Sequence, residues 1–213
     1  TVVCTPTNVT KWQLEQKPYA TSFIDGTRSP ETLTIPTAGV LNPQEGTVEF
    51  WAYLPAGPQS YLFSVNGSPN DNNNRLYIYG TDIGSGNQAM RVLLGTGTSY
   101  AVTPTISTTR NAWHYFAARW TETSVKFTVD TATVETTRSG VGTFGDRAYI
   151  GSSIGSVQAN SLIDDLRISS IARSDAEILA NYQSGRPVGF DSYTTYYEPF
   201  DGLYDWQAVG VVF

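Results

Sequence analysis

The sequence predicts an all-β fold, a two-sheet antiparallel β-sandwich with one short helix in its C-terminal half. Three observations carry that prediction. Residues 46–54 (GTVEFWAYL) and, far downstream, 162–168 (LIDDLRI) each alternate apolar and polar positions between turn residues, as half-buried strands do. Short apolar runs recur along the chain, separated by the Gly, Pro, Asn and Ser clusters that punctuate tight turns. Thirteen Tyr, nine Phe and five Trp, beside 19 Gly and 11 Pro, suit twisted strands and turns, and helix-forming residues do not dominate.

In chain order, residues 1–30 differ in texture from the rest of the chain, running from Trp12 through Phe23 into the turn-rich DGTRSP of 25–30. They read as an arm, linker or remnant of a preceding module, or else as a plain edge strand of the same sandwich. Residues 31–213 read as one domain, long enough to bury a full core. Candidate strands are 32–36, 47–54, 61–65, 75–79, 88–94, 99–102, 113–121, 124–129, 132–137, 147–151 and 161–168, joined by turns such as PAGP at 55–58, NGSP at 66–69 and GSG at 84–86. Ser174 and Glu177 are spaced as a capping box, so the hydroxyl and the carboxylate each satisfy a free backbone N–H at the start of a helix over 175–184. Gly185 and Pro187 end it. The tyrosine-rich tail at 193–202 either pairs back onto the sandwich or begins another module. A start at Thr1 without Met and an apolar end at 209–213 read as a piece of something longer.

Charge narrows the partners. A formal net charge of −6 offers no basic stripe to neutralise a phosphate backbone, so nucleic acid is not an expected partner. Cys4 is the only cysteine, and the fold does not rest on an internal disulfide. No apolar run approaches the roughly 20 residues of a membrane span, and no basic-flanked leader is visible.

The two alternating segments, the ARSDAEI run at 172–178 that comes after the second, and a central hairpin of AWHYFAARW (112–120) and VKFTVD (125–130) occur in a set order. Over roughly 33–185 the chain resembles the concanavalin A-like, laminin-G-like jelly rolls. It departs from them after Asp130, where Thr131 replaces the usual glycine. Residues 13–15 and 20–23 are similar to the closing edge of carbohydrate-binding modules in phage tail and prophage virion proteins. The resemblance implies a non-catalytic, lectin-like module of a larger phage virion or extracellular surface protein, with host glycan or the bacterial cell surface and neighbouring modules of the same polypeptide as partners. Its alternatives are a purely structural assembly domain and, because the family includes laminarinase-type enzymes, a glycoside hydrolase.

Hydrolysis with retention needs two carboxylates about 5–5.5 Å apart. The 47–53 strand supplies only Glu49, with Trp51 and Tyr53 where further acids would stand, and Asp164 and Asp165 are adjacent and point to opposite faces of a strand. No catalytic residue is therefore expected. The lone His114 has no nucleophile, zinc or phosphate motif around it and reads as a strand side chain. Alternation places Glu49, Trp51 and Tyr53 on one face, and Arg75, Tyr77 and Tyr79 on a face opposite Leu76 and Ile78. These six form the candidate sugar-binding surface, with aromatic rings to stack on sugars and Glu and Arg to bond hydroxyls. The competing expectation is that the aromatics pack under loops or in the core. The resemblance also implies a structural calcium ion held by Asp164 with a backbone carbonyl near Gly46; the alternative is that Asp164 hydrogen-bonds a turn or pairs with a nearby Arg. The 71–74 loop (DNNN) reads either as a cation loop or as an exposed turn. Asn8 and Asn66 begin glycosylation-type tripeptides.

Overall fold

The computed structural model describes residues 32–55, 59–67, 73–153, 157–159 and 161–200. The chain divides into two compact units, Thr1–Glu31 and Thr32–Phe213. The first unit, with Cys4, Asn8 and the virion-like segment, lies outside the described residues.

Among the described residues every strand pairing is antiparallel. The first sheet runs β1 (Leu33–Pro36), β11 (Arg147–Ile150), β3 (Gln59–Val65), β4 (Leu76–Gly84), β5 (Asn87–Gly95) and β6 (Tyr100–Val102), with β7 (Ile106–Thr109) also paired to β5. The second runs β10 (Ala132–Thr137), β9 (Ser124–Val129), β8 (Trp113–Trp120), β2 (Gly46–Tyr53), β14 (Leu162–Ser169) and β15 (Thr194–Glu198). A small ribbon of β12 (Ser152–Ser153) and β13 (Val157–Gln158) stands beside them.

The two segments that announced the fold are direct neighbours. β2 lies between β8 and β14, with Glu49 opposite Arg167 and Trp51 opposite Asp164. Their apolar positions meet the first sheet: Val48, Phe50, Ala52, Leu166 and Ile168 share one core with Leu76, Ile78, Val92 and Leu94. Burial of such side chains, at about 1.5–3 kcal/mol each, is the main force holding the layers together. Gly46 is required where β2 begins, because a Cβ there would stand 2.4 Å from the Trp120 indole that closes this end.

β7, β12, β13 and β15 extend the expected strand set. β7 (ISTT) has only one apolar residue, so alternation does not reveal it. β15 shows that residues 194–198 pair back onto β14. The helix α1 (Asp175–Ser184) has both capping-box bonds at Ser174, and Gly185 closes it at φ 75. The turn between β9 and β10 places Asp130 at φ 54, a conformation glycine adopts more readily, and the Asp130 carboxylate compensates by accepting the Tyr115 N–H at 2.9 Å.

Candidate functional site

The outer face of the second sheet is closed by the helix. Glu49, Trp51 and Tyr53 do point away from the core, as alternation requires, but α1 covers the first two. Ile178 packs on Tyr115 and Ala117, and Tyr182 stacks on Trp51 with centroids 5.8 Å apart. Beneath the helix Glu49 is fully buried and meets only protein groups: Nε of Arg167 at 2.5 Å, Nδ2 of Asn181 at 2.9 Å, and the Tyr115 hydroxyl. Burial, then the adjacent Glu49 charge, raises the Tyr115 phenol well above its ordinary pKa, so it remains a donor. Arg167 also donates to the Val188 carbonyl at 2.8 Å, and Asn181 accepts the Val188 N–H at 2.9 Å. The placement of Glu49 on a sugar-binding surface is thus corrected: it is the centre of a buried network that docks α1 and the segment after it. Trp51 is half-buried in the same docking contact. Tyr53 lies half-buried toward the Trp113 end of β2, tilted at 62° against Trp113, which is 45% exposed.

β4 belongs to the other sheet, so Arg75, Tyr77 and Tyr79 face away from the opposite side of the sandwich. The six predicted residues therefore lie on opposite sides of the core, three on each sheet, and do not come together in one site. On the first sheet, cross-strand register adds residues that strand parity alone did not bring together. Tyr61, Tyr79 and Arg91 are register partners on β3, β4 and β5, and Tyr100 on β6 pairs with Gly95. Tyr61 stacks on Tyr79 at 5.5 Å and 14°, and meets Tyr77 edge-on at 5.4 Å. The guanidinium of Arg91 lies 5.0 Å over the Tyr79 ring, and that of Arg75 lies 5.0 Å from Tyr77 and 5.4 Å from Tyr100. Tyr77 is only 8% exposed and its hydroxyl donates to Asn66 Oδ1, so it supports the patch more than it presents it. Tyr61, Tyr79, Arg75 and Arg91 are half-buried and Tyr100 is exposed. Chemically, this surface offers flat rings for stacking on pyranose faces and fixed cations for oxygen ligands.

Asp164 sits where β14 bulges. Asp165 is the extra residue, at φ 50, and its carboxylate accepts the Tyr197 hydroxyl. The bulge breaks the simple alternation expected of the two acids. Gly46 is paired with Trp120, whereas Asp164 lies opposite Trp51, five residues along β2 and roughly 17 Å away. The Gly46 carbonyl therefore does not join Asp164 around an ion. Asp164 and Asp165 alone fall short of the roughly six to eight oxygens calcium takes, leaving carbonyls or water to complete a shell. Among the described residues no three His, Cys, Asp or Glu side chains gather for a metal. The 71–74 loop is described only at Asn73 and Asn74, and Asn74 Oδ1 accepts the Thr143 N–H at 2.7 Å.

His114 is nearly buried, with Nδ1 2.7 Å from Asp130 and Nε2 2.9 Å from the Thr109 carbonyl. With both ring nitrogens already engaged by protein groups, it ties β8 to Thr109 and to the turn after β9. A cavity of about 320 Å³ beside the start of α1 is lined by Arg119, Lys126 and Arg173, but Asp175 already answers Arg119 at 2.5 Å and Lys126 at 3.3 Å.

The concanavalin A-like lectin/glucanases superfamily, as a sequence family, matches residues 26–179. The chain belongs to that superfamily. Its structure is similar to the enzymatically active domain of tailspike protein 2 of bacteriophage CBA120, with a TM-score of 0.59 at 10% identity over 82% of this chain and 32% of that one. It is similar also to the heptameric SAP-like pentraxin of Limulus polyphemus (TM-score 0.54, 15% identity, 79% and 83% covered) and to the CBM40 of the Ruminococcus gnavus IT-sialidase bound to α2,3-sialyllactose (0.51, 14%, 68% and 84%). At such identities the likeness is one of fold. This superfamily chain spans about a third of the tailspike length. No curated protein sequence matches it significantly. No helix among the described residues is long and apolar enough to cross a membrane.

Proposed function

We propose that this superfamily member is a non-catalytic carbohydrate-binding module of a larger phage virion or extracellular surface protein, and that it recognises host glycan through the outer face of the first sheet. The observation that carries the reading is the contiguous surface of Tyr61, Tyr79 and Tyr100 with Arg75 and Arg91, where rings and cations are already held in place by one another. Prearranged aromatic side chains lose little freedom when a sugar docks on them. Structures of the same fold in complex with a sugar, sialyllactose in one and arabinotriose in another, support the reading, and the tailspike likeness supports the virion setting. Glu49 supplies no glycosidase acid, being sealed under α1 and paired with Arg167.

A glycan array on the full chain tests it, with Tyr79→Ala and Trp51→Ala alongside. The expected result is saccharide binding that Tyr79→Ala abolishes and folded Trp51→Ala retains. Uniform silence from a folded chain would instead favour a structural assembly domain.

A further inference from the structure

We propose that the aromatic face of the first sheet selects a carboxylated sugar, with the Arg91 guanidinium as the group that receives the carboxylate. The inference rests on the glycan-binding reading above and narrows it to a ligand class.

Charge distribution is the first ground. The chain carries a net charge of −6, yet the seven strands of the first sheet contain a single acidic residue, Asp82. Asp82 is taken by Arg110 at 3.0 Å, near the turn end of β4. The Tyr61, Tyr79 and Arg91 row therefore has no acidic residue on the strands of its own sheet apart from the Asp82 that Arg110 already holds.

The state of Arg91 is the second. Alternation with Met90 and Val92, both fully buried in the core, turns its side chain outwards. There it lies over Tyr79, while Arg110, Arg119, Arg167 and Arg173 each have a carboxylate within 3.0 Å. Among the described residues Arg91 forms no ion pair, and its buried Nε has no hydrogen-bond partner. A guanidinium 5.0 Å over a ring, half-withdrawn from water and with no carboxylate beside it among the described residues, is prepared for a planar two-oxygen anion. The Tyr61 and Tyr79 rings, stacked beside it, provide the apolar support that a sugar ring carrying such a carboxylate needs. A neutral sugar would use the rings and leave the cation unanswered.

The test compares matched probes on the full chain by calorimetry: sialyllactose against lactose, and a glucuronate oligosaccharide against its carboxyl-reduced form. The expected result is at least about tenfold tighter binding of one carboxylated member over its neutral partner, weakening as salt is raised. Arg91→Gln should erase that preference, and Arg91→Lys, which keeps charge but loses the planar fork, should restore part of it. The two pairs distinguish a sialic acid from a uronic acid as the source of the carboxylate. Equal binding of neutral and carboxylated partners, lost in Tyr79→Ala but indifferent to Arg91→Gln, would overturn this inference and leave the glycan reading standing. Silence toward every saccharide, with the fold intact by circular dichroism, would overturn both.

Discussion

Glu49 on β2 and Arg167 on β14 are register partners that form a fully buried ion pair, with Nε and Nη2 of the arginine both 2.5 Å from Oε1. The remaining capacity of each is used by Tyr115, Asn181 and the Val188 carbonyl, so the pair ties two strands, the helix and the segment after it into one unit.

Removing one charge leaves the other buried without an answer. Glu49→Ala is expected to lower unfolding free energy by about 3–5 kcal/mol, measured by denaturant titration, and a Glu49→Leu/Arg167→Leu double variant to recover much of that loss. A single variant as stable as the parent would show that water reaches Arg167. Folded forms of either variant should bind glycan as the parent does.

The capping box predicts a smaller effect. Ser174→Ala removes the hydroxyl that accepts the Glu177 N–H at 3.2 Å, which should cost about 1 kcal/mol in thermal or chemical unfolding. No change would mean that the Arg173 contacts to Glu177 and Asp191 hold this end of the helix without the cap.

His114 predicts a pH dependence. Hydrogen bonding to Asp130 raises its pKa above the ordinary 6.5, against partial burial, which lowers it. Because the folded value is the higher one, the stabilisation is complete below the unfolded pKa of about 6.5 and is lost as pH rises through the folded value. NMR titration of this sole histidine should show a midpoint above 6.5, and Asp130→Asn should lower it and flatten the fall in melting temperature over the same range. A parent midpoint below 6.5 would refute the arrangement.

Calcium at Asp164 is the remaining proposal. If the ion binds the bulge of β14, melting temperature rises with added calcium, falls with chelator, and stops responding in Asp164→Asn, because binding only to the folded state stabilises by mass action. Chelator-insensitive melting of a metal-free sample would exclude it.

Much of the fold was legible in the sequence because its signals are local. Alternation in 46–54 and 162–168 reports burial on one face, and the Ser174 and Glu177 spacing reports two backbone N–H groups that need acceptors. The helix over 175–184 is set by four residues at its start and a glycine at its end. The same locality limited the site. Strand parity determined that Glu49 and Tyr79 point away from the core, but parity says nothing of what lies beyond. Only the tertiary structure decided that α1 folds over Glu49 and supplies it with Asn181, while Arg91 lies over Tyr79, which in turn stacks on Tyr61. The docking of α1 joins Glu49 to Asn181, more than a hundred positions along the chain, and the Tyr61, Tyr79 and Arg91 row joins three separate strands, so no local pattern encodes either encounter. The sequence therefore determined which residues leave the core, and the three-dimensional packing decided which of them became interior a second time.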